Sequence, residues 1–421
     1  MKLLYTPYLL CLFFINNIHY ISATQKAVIN VPVTDLLGQP IAKIDSHQST
    51  EDAYNAIAFC TNPTNSPHCP RLHQLLYNDI VEIIKEEGNE VCICISHAYY
   101  LTPSSLLPQT QYWTLKKNIT LLDDLTQQNI TIAYIPDPIN FCDTNYCAFN
   151  QANIVTLIEP HYDSTLRMTF SAGTRFIHIP SSQKKRNSSY TVFAIDYKTL
   201  KEHQIKIPLH KCIITDQAKT QADRITNYVD LLKKWAHQKH GCIPYTWGGT
   251  SFTHTIPGNF KEVTHKTNNG DYICYEYEKN SLSPKSGFDC SGAIARATQI
   301  CGIPYFCKNT ATISHCLTQL KSDQSLSPGD LILIRGHVMV VSDVTKNLLI
   351  EARSYGHGYG KLHEIPLEQV FEDMYTYKDL TDAFFNKTVI KRKDKQGKVR
   401  DTFTNLQLFS MASVWHSSRS P

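Results

Sequence analysis

The sequence predicts a multidomain α+β protein, with small β-barrels leading into a larger domain of mixed helices and strands. Three observations predict it. The chain has 421 residues, enough for two to four domains of ~150 residues each. Its first half alternates short apolar runs with polar turns. From Thr215 onward a helical period takes over, followed by a second helix signal and a run of strands.

The barrel elements come first. Asp79-Ile-Val-Glu-Ile-Ile precedes the turn Lys85 to Glu90, and apolar residues alternate again in Val91-Cys-Ile-Cys-Ile95. Thr174-Arg-Phe-Ile-His-Ile-Pro precedes a polar turn at Lys184 to Ser189, then Tyr190-Thr-Val-Phe-Ala-Ile-Asp and Gln204-Ile-Lys-Ile-Pro. Short strands at this spacing suggest small barrels. Residues 24 to about 70 are rich in Asn, Thr, Pro and Ser and read as an irregular lead-in.

The helical element runs from a cap at Asp216 to about Gln238. Ile225, Val229, Leu232 and Ala236 recur at steps of three and four, and Gly241 closes it. At the C-terminal end Thr388-Val-Ile-Lys and Asn405-Leu-Gln-Leu-Phe flank a Lys-Gly turn and read as a hairpin.

Composition is that of a folded soluble protein, 42% apolar and 19% charged. A net charge of +4 without a concentrated basic stripe argues against nucleic acid. At the N-terminus, Lys2, a short apolar run and Ile21-Ser22-Ala23 form a signal peptide, residues 1–23. The run is too short to span a bilayer, which needs ~20 apolar residues. The large Leu10 argues against lipid attachment at Cys11. The expected compartment is exported, periplasmic or cell-wall, with no membrane span after signal removal. Of 14 cysteines, the odd number left after signal removal leaves at least one thiol unpaired. Cys142–Cys147 or Cys60–Cys69 close small disulfide loops if the compartment oxidises them; otherwise they are small buried hydrophobes.

Three segments carry chemistry. Pro244-Tyr-Thr-Trp-Gly-Gly249 shapes a tight loop around two aromatics. Gly287-Phe-Asp-Cys-Ser-Gly292 opens a helix that Gly302 stops, so Asp289 is its N-cap and Cys290 lies in its first turn. There the free backbone N–H groups and the helix dipole favour a thiolate and an oxyanion. Pro328-Gly-Asp-Leu turns into a strand, followed by Gly336-His-Val-Met-Val-Val and Asn347-Leu-Leu-Ile-Glu-Ala. With a five-residue loop from Ser342 to Lys346, His337 lies directly opposite Glu351 on one face of the hairpin. A carboxylate beside an imidazole completes a Cys-His-acid relay. Singly, each residue has an ordinary structural reading, and the order of the three segments is what gives them weight.

Together the segments resemble the NlpC family of papain-like cell-wall cysteine peptidases, over about residues 215 to 370. The resemblance implies Cys290 as nucleophile, His337 as general base and Glu351 as third polar residue. Many family members carry His at that third position, some Glu. It implies Tyr245 as the tyrosine near the nucleophile, and Asp289, Ser291 and Trp247 at the substrate. His315, His357 and His363 share the domain but lack the Gly-His-Val pattern.

Upstream, Arg71-Leu-His-Gln-Leu-Leu-Tyr-Asn-Asp-Ile-Val-Glu-Ile and Ser171-Ala-Gly-Thr-Arg-Phe resemble the two bacterial SH3-like domains of γ-D-glutamyl-L-diamino-acid endopeptidases. This implies SH3-like domains over 24–125 and 126–214 and a catalytic domain over 215–421. In that subfamily the first SH3-like domain closes one end of the cleft, so that a free L-Ala ammonium fits there. By position Asp79 and Tyr112, with Asp289, are candidates for that wall. Family members carry Gly-Glu where this chain has Asn78-Asp79. The segment Thr250 to Gly287 is longer than the family's, and reads as a surface loop or a lid over the cleft.

The expected function is hydrolysis of the bond between γ-D-Glu and the diamino acid in peptidoglycan stem peptides or muropeptides, without cofactor or metal. An amidase or acyltransferase on the same core, or a non-catalytic wall-binding protein, are the alternatives. No His-Glu-x-x-His or closed cysteine set supports a zinc peptidase.

Overall fold

The computed structural model describes residues 25–44, 49–57, 69–95, 98–101, 108–139, 153–180, 188–214, 220–256, 261–265, 272–276, 286–354 and 359–416. Its N-terminal part is an antiparallel sheet of seven strands. Their order is Arg71–Leu76, Val33–Leu37, Gln111–Leu115, Glu90–Cys94, Ile80–Glu87, Gln25–Ile29 and Ile119–Leu121. The expected irregular lead-in is corrected here. Gln25–Ile29 and Val33–Leu37 are sheet strands, and Ser49 caps a helix over Thr50–Ala56. Ala27, Val28, Ile29, Leu36 and Leu37 are fully buried, so these strands lack the in-out alternation that would have marked them.

The next unit holds a three-stranded sheet (Arg175–Ile177, Ile154–Leu157, Cys212–Ile214) and two hairpins. In the longer hairpin Ser189–Asp196 pairs with Lys201–Pro208, and Val192, Ala194, Ile205 and Ile207 form its buried face. One apolar face suffices to lay a ribbon across a neighbouring sheet. The described residues of these units form open sheets and ribbons, and no closed barrel is found among them. The two units also share one core. Val28, Tyr77 and Leu125 pack with Phe170, Phe176 and Val192, and the Tyr77 hydroxyl donates to the Ile195 carbonyl at 2.6 Å. The Cys142–Cys147 pair, and Cys60 of the other, lie outside the described residues.

In the C-terminal part a helix spans Gln221–Ala236. Thr220, not Asp216, is its cap: Thr220 Oγ1 accepts the Asp223 N–H while Asp223 accepts the Thr220 N–H, a reciprocal capping box. Asp216 lies outside the described residues. Trp235 is fully buried, stacked on Phe288 at 4.8 Å, and donates its indole N–H to the Ile158 carbonyl at 2.8 Å.

A six-stranded antiparallel sheet follows, in the order Thr318–Gln319, Gln407–Ser410, Leu331–Ile334, His337–Asp343, Leu348–Arg353 and Lys361–Pro366. Leu331, Leu333, Val338, Val340, Ile350 and Ala352 face the helices Gln221–Ala236 and Cys290–Ile300. Their alternates Ile332, Ile334, Met339, Val341 and Leu349 face Leu367, Phe371, Leu380 and Ile390. The expected C-terminal hairpin is corrected. Ile390–Lys393 pairs with Val399–Phe403, while Gln407–Ser410 leaves it to join the main sheet beside Leu331–Ile334. Leu406 and Leu408 are buried there. No described helix is long and apolar enough to cross a membrane.

Within the long Thr250–Gly287 segment, Thr250–Ser251 pairs with Gly287–Phe288, and Lys261–His265 pairs with Tyr272–Glu276. The segment therefore leaves and re-enters the body at one place.

Candidate active site

The aromatic loop and the cysteine turn are pressed together, and their glycines are what allows it. A Cβ on Gly249 would meet the Gly287 carbonyl oxygen at 2.4 Å, and one on Gly292 would meet the Gly249 carbonyl oxygen at 2.0 Å. Only hydrogen fits at either position. Asp289 N–H donates to the Gly249 carbonyl at 3.2 Å and Thr246 N–H to that of Phe288 at 3.1 Å. Tyr245, buried, is bridged to Phe288 on one side and donates its N–H to the Gly360 carbonyl on the other. Trp247 is partly buried against the same core, and its carbonyl accepts from Arg71 at 3.0 Å.

Asp289 is the N-cap of the Cys290–Ile300 helix, its carboxylate accepting the Gly292 N–H. Gly302 follows the helix with φ +71°. Cys290 is the first helical residue and is half-buried. The N–H groups of Val338 and Ser291 point at its sulfur, which sets the thiol beside the His337–Val338 peptide. Burial, and secondarily the Asp289 carboxylate, push this thiol up to about 12.

His337 opens its strand after the two-residue turn Arg335-Gly336, with Gly336 at φ +73°. The expected register is corrected by two residues. Val340 pairs with Ile350 and Val341 with Leu349, which on extension sets Arg353, not Glu351, across from His337. The loop is shorter than expected, because Asp343 Oδ1 accepts the Thr345 and Lys346 N–H groups at 3.0 Å and Asn347 takes φ +54°. A shift of two keeps every side chain on its face. His337 Nε2 still meets Glu351 Oε2 at 2.7 Å, along the diagonal.

Glu351 is fully buried and held well below the ordinary carboxylate range; bonds from His337 and His363 lower it against the cost of burial. As a carboxylate it only accepts, so His337 Nε2 carries the proton. Burial and then Arg392 push His337 down to about 4, against the pull of Glu351. At neutral pH the ring is therefore uncharged, and Nδ1 is its basic nitrogen. A thiol on a helix head, with the backbone N–H of the residue after a fixed-tautomer imidazole turned to it, has the group types that acyl transfer uses, with the N–H groups at the helix head available to a developing oxyanion.

Three neighbours, His363, Arg392 and Lys308, were given no role by the sequence. His363 lies directly across from Glu351, with Nε2 3.3 Å from Oε1. Arg392 reaches Glu351 Oε2 at 3.1 Å from the C-terminal hairpin. Lys308 forms a buried ion pair with Asp289 at 2.8 Å. Ser291 Oγ lies between the Asp289 carboxylate and the Lys308 carbonyl, and is buried.

The remaining candidates are not brought to the cysteine. Asp79 accepts the Leu76 N–H at 2.8 Å and faces Arg175 and Arg296. Arg296 stands six residues past Cys290, roughly 9 Å along the helix. Tyr112 is fully buried and donates to the Gln109 carbonyl at 2.7 Å. The phenol of Tyr100 is raised by burial and by the Asp289 carboxylate. Tyr100 belongs to a segment docked on the loop after the Cys290 helix. Tyr99 N–H donates to the Phe306 carbonyl at 2.7 Å and Lys308 N–H to the Tyr99 carbonyl at 2.9 Å. His357 lies outside the described residues.

No protein-family model matches the chain, and a search of curated proteins finds no relative. Among solved structures, the chain is similar to an NlpC/P60 family protein from Bacillus cereus ATCC 10987. Identity is 14%, with 81% of this chain and 94% of that one covered and a TM-score of 0.49. It is also similar to NlpC2 of Trichomonas vaginalis, at 11% identity, covering 82% and 93% of the two chains with a TM-score of 0.28. For NlpC1 of the same organism the values are 12%, 81%, 87% and 0.28.

Proposed function

We propose that this chain is an exported cysteine endopeptidase acting on peptidoglycan stem peptides. The observation that carries the reading is the 2.7 Å bond from His337 Nε2 to a buried Glu351, in a strand whose next residue, Val338, turns its N–H to the Cys290 thiol at the head of a helix. The proposed step moves the Cys290 proton to His337 Nδ1 as the sulfur bonds to the substrate carbonyl carbon. His337 then returns that proton to the leaving amine, the C–N bond breaks and a thioester remains. Water, deprotonated by His337, attacks the thioester, and the proton goes back to the sulfur.

The finer part of the proposal is the bond, that between γ-D-Glu and the diamino acid, in peptides with a free N-terminal L-Ala. It is supported by the quoted motifs and by the Tyr99–Leu101 segment of the N-terminal unit, which abuts the loop carrying Lys308. A wall there favours short free peptides over strands still joined to glycan. Export rests on the N-terminal apolar segment, and the division at 125 and 214 on the change of sequence texture. Mass spectrometry of products from defined muropeptides tests the whole reading. Release of the diamino acid end from a free tripeptide is the expected result, and cleavage at another bond, or none, contradicts it.

A further inference from the structure

The Glu351 carboxylate is crowded. Oε2 takes His337 Nε2 at 2.7 Å and Arg392 Nη2 at 3.1 Å. Oε1 takes His363 Nε2 at 3.3 Å and has Arg353 Nη1 at 3.9 Å. One anion thus serves two imidazoles and two guanidiniums, all buried. His337 and Arg353 reach it from neighbouring positions of the sheet, His363 comes from the next strand, and Arg392 alone arrives from outside. Its hairpin is fixed to the body through a bridge to Phe371 and through the Glu372 N–H, which donates to the Lys391 carbonyl at 2.9 Å.

We propose that Arg392 is a positioning residue for the Cys290–His337 site, holding Glu351 on His337 and opposing the uptake of a proton by the imidazole. The geometry argues it in two ways. A carboxylate between His337 and His363 can turn toward either. Arg392 shares Oε2 with His337 and therefore fixes the oxygen that His337 needs. Charge is the second argument. A buried carboxylate facing imidazoles alone would draw a proton onto one of them, because unpaired buried charge is costly. With Arg392 and Arg353 present the anion is already over-compensated, and a further cation at His337 is opposed. Arg392 is accordingly the largest influence after burial that pushes His337 down. The outlying charges act on the arginines instead: Asp401 and Tyr359 face Arg353, while Asp394 is paired with Arg400 at 2.8 Å. The C-terminal hairpin thereby becomes part of the catalytic apparatus.

This inference rests on the proposed peptidase reading only for its purpose, so its test avoids turnover. The full chain with Cys290→Ala is labelled on histidine, and the His337 resonance, assigned by its loss in His337→Asn, is titrated by NMR. Arg392→Met should raise the proton affinity of His337 by about tenfold, or one pH unit. Arg392→Lys should restore most of the original midpoint, and Arg400→Met, which breaks the same hairpin's ion pair, should leave it unmoved. If Arg392→Met does not fold, Arg392→Gln is read the same way. An unchanged His337 midpoint in the uncharged variant overturns the proposal, as does an equal shift in Arg400→Met. If the wild-type protein cleaves no stem peptide, the peptidase reading fails while the titration still decides the role of Arg392.

Discussion

His337 and Glu351 meet along a diagonal of the sheet, two residues out of direct register, with Nε2 and Oε2 2.7 Å apart. The bond fixes the ring with its proton on Nε2. Glu351→Gln should leave the shape and lose the charge. A loss of ~2–3 kcal/mol of positioning would slow turnover ~30- to 150-fold. Glu364, on the neighbouring strand, bonds to His237 at 2.6 Å and to Ser342 instead. Glu364→Gln should have a much smaller effect on kcat, and equal effects of the two would point to a different partner for His337.

A second expectation concerns pH. The folded-state value of His337 is lowered from the ordinary 6.5 to about 4. Between those values the unfolded chain binds a proton that the folded chain does not, so this group's contribution is present above about 6.5 and is lost on acidification toward 4. Asp330, buried while accepting the Ser327 and Met411 N–H groups, is raised from 3.8 to about 6. There the folded chain holds the proton, so acidification through nearly the same window favours folding. The two oppose each other. Thermal melts of Asp330→Asn should therefore fall more steeply than wild type between pH 6.5 and 4; parallel curves would remove Asp330 from the account.

The glycines at the loop contact give a third. Gly292→Ala drives a Cβ to 2.0 Å from the Gly249 carbonyl oxygen, and neither backbone yields easily. We expect a loss of about 3 kcal/mol or more in urea unfolding together with a collapse of activity. Gly336→Ala is the comparison, since no atom lies within 4 Å of its Cβ and only the φ of +73° is strained, for about 1 kcal/mol. Similar costs at the two sites would mean that the helix head relaxes.

Specificity supplies the fourth. If the Tyr99–Leu101 segment closes the cleft, a free tripeptide should be cleaved far faster than a muramyl-linked one, with the difference in kcat/KM. Tyr100→Ala should narrow that gap. Asp79→Ala should not, because Asp79 faces Arg175 and Arg296. A selective loss in Asp79→Ala would restore that residue to the wall.

Much of this site was legible in the sequence because its signals are local. Asp289 as cap, Cys290 on the first turn and Gly302 as stop follow from spacing alone. The face shared by His337 and Glu351 survived a wrong register because strand parity survives a shift of two. What was not legible is set by long-range packing. Arg392 is 41 residues from Glu351, between the expected hairpin strand and its Lys-Gly turn, and Lys308 carries no mark of the buried Asp289 it pairs with. Barrel closure was not legible, since short alternating strands look the same in an open ribbon as in a closed barrel. The lead-in was under-read, because strands buried on both faces show no alternation.

The central claim is that Cys290 does the chemistry. Other thiols are present, and Cys316 is lowered by its contact with Cys307, so thiol reactivity alone does not identify the nucleophile. The direct measurement is release of the diamino acid from L-Ala-γ-D-Glu-diamino acid tripeptide by wild type, Cys290→Ala and Cys316→Ala, each checked for native melting. Turnover in wild type and Cys316→Ala, with none in a folded Cys290→Ala, is the predicted result. Hydrolysis persisting in Cys290→Ala would contradict it.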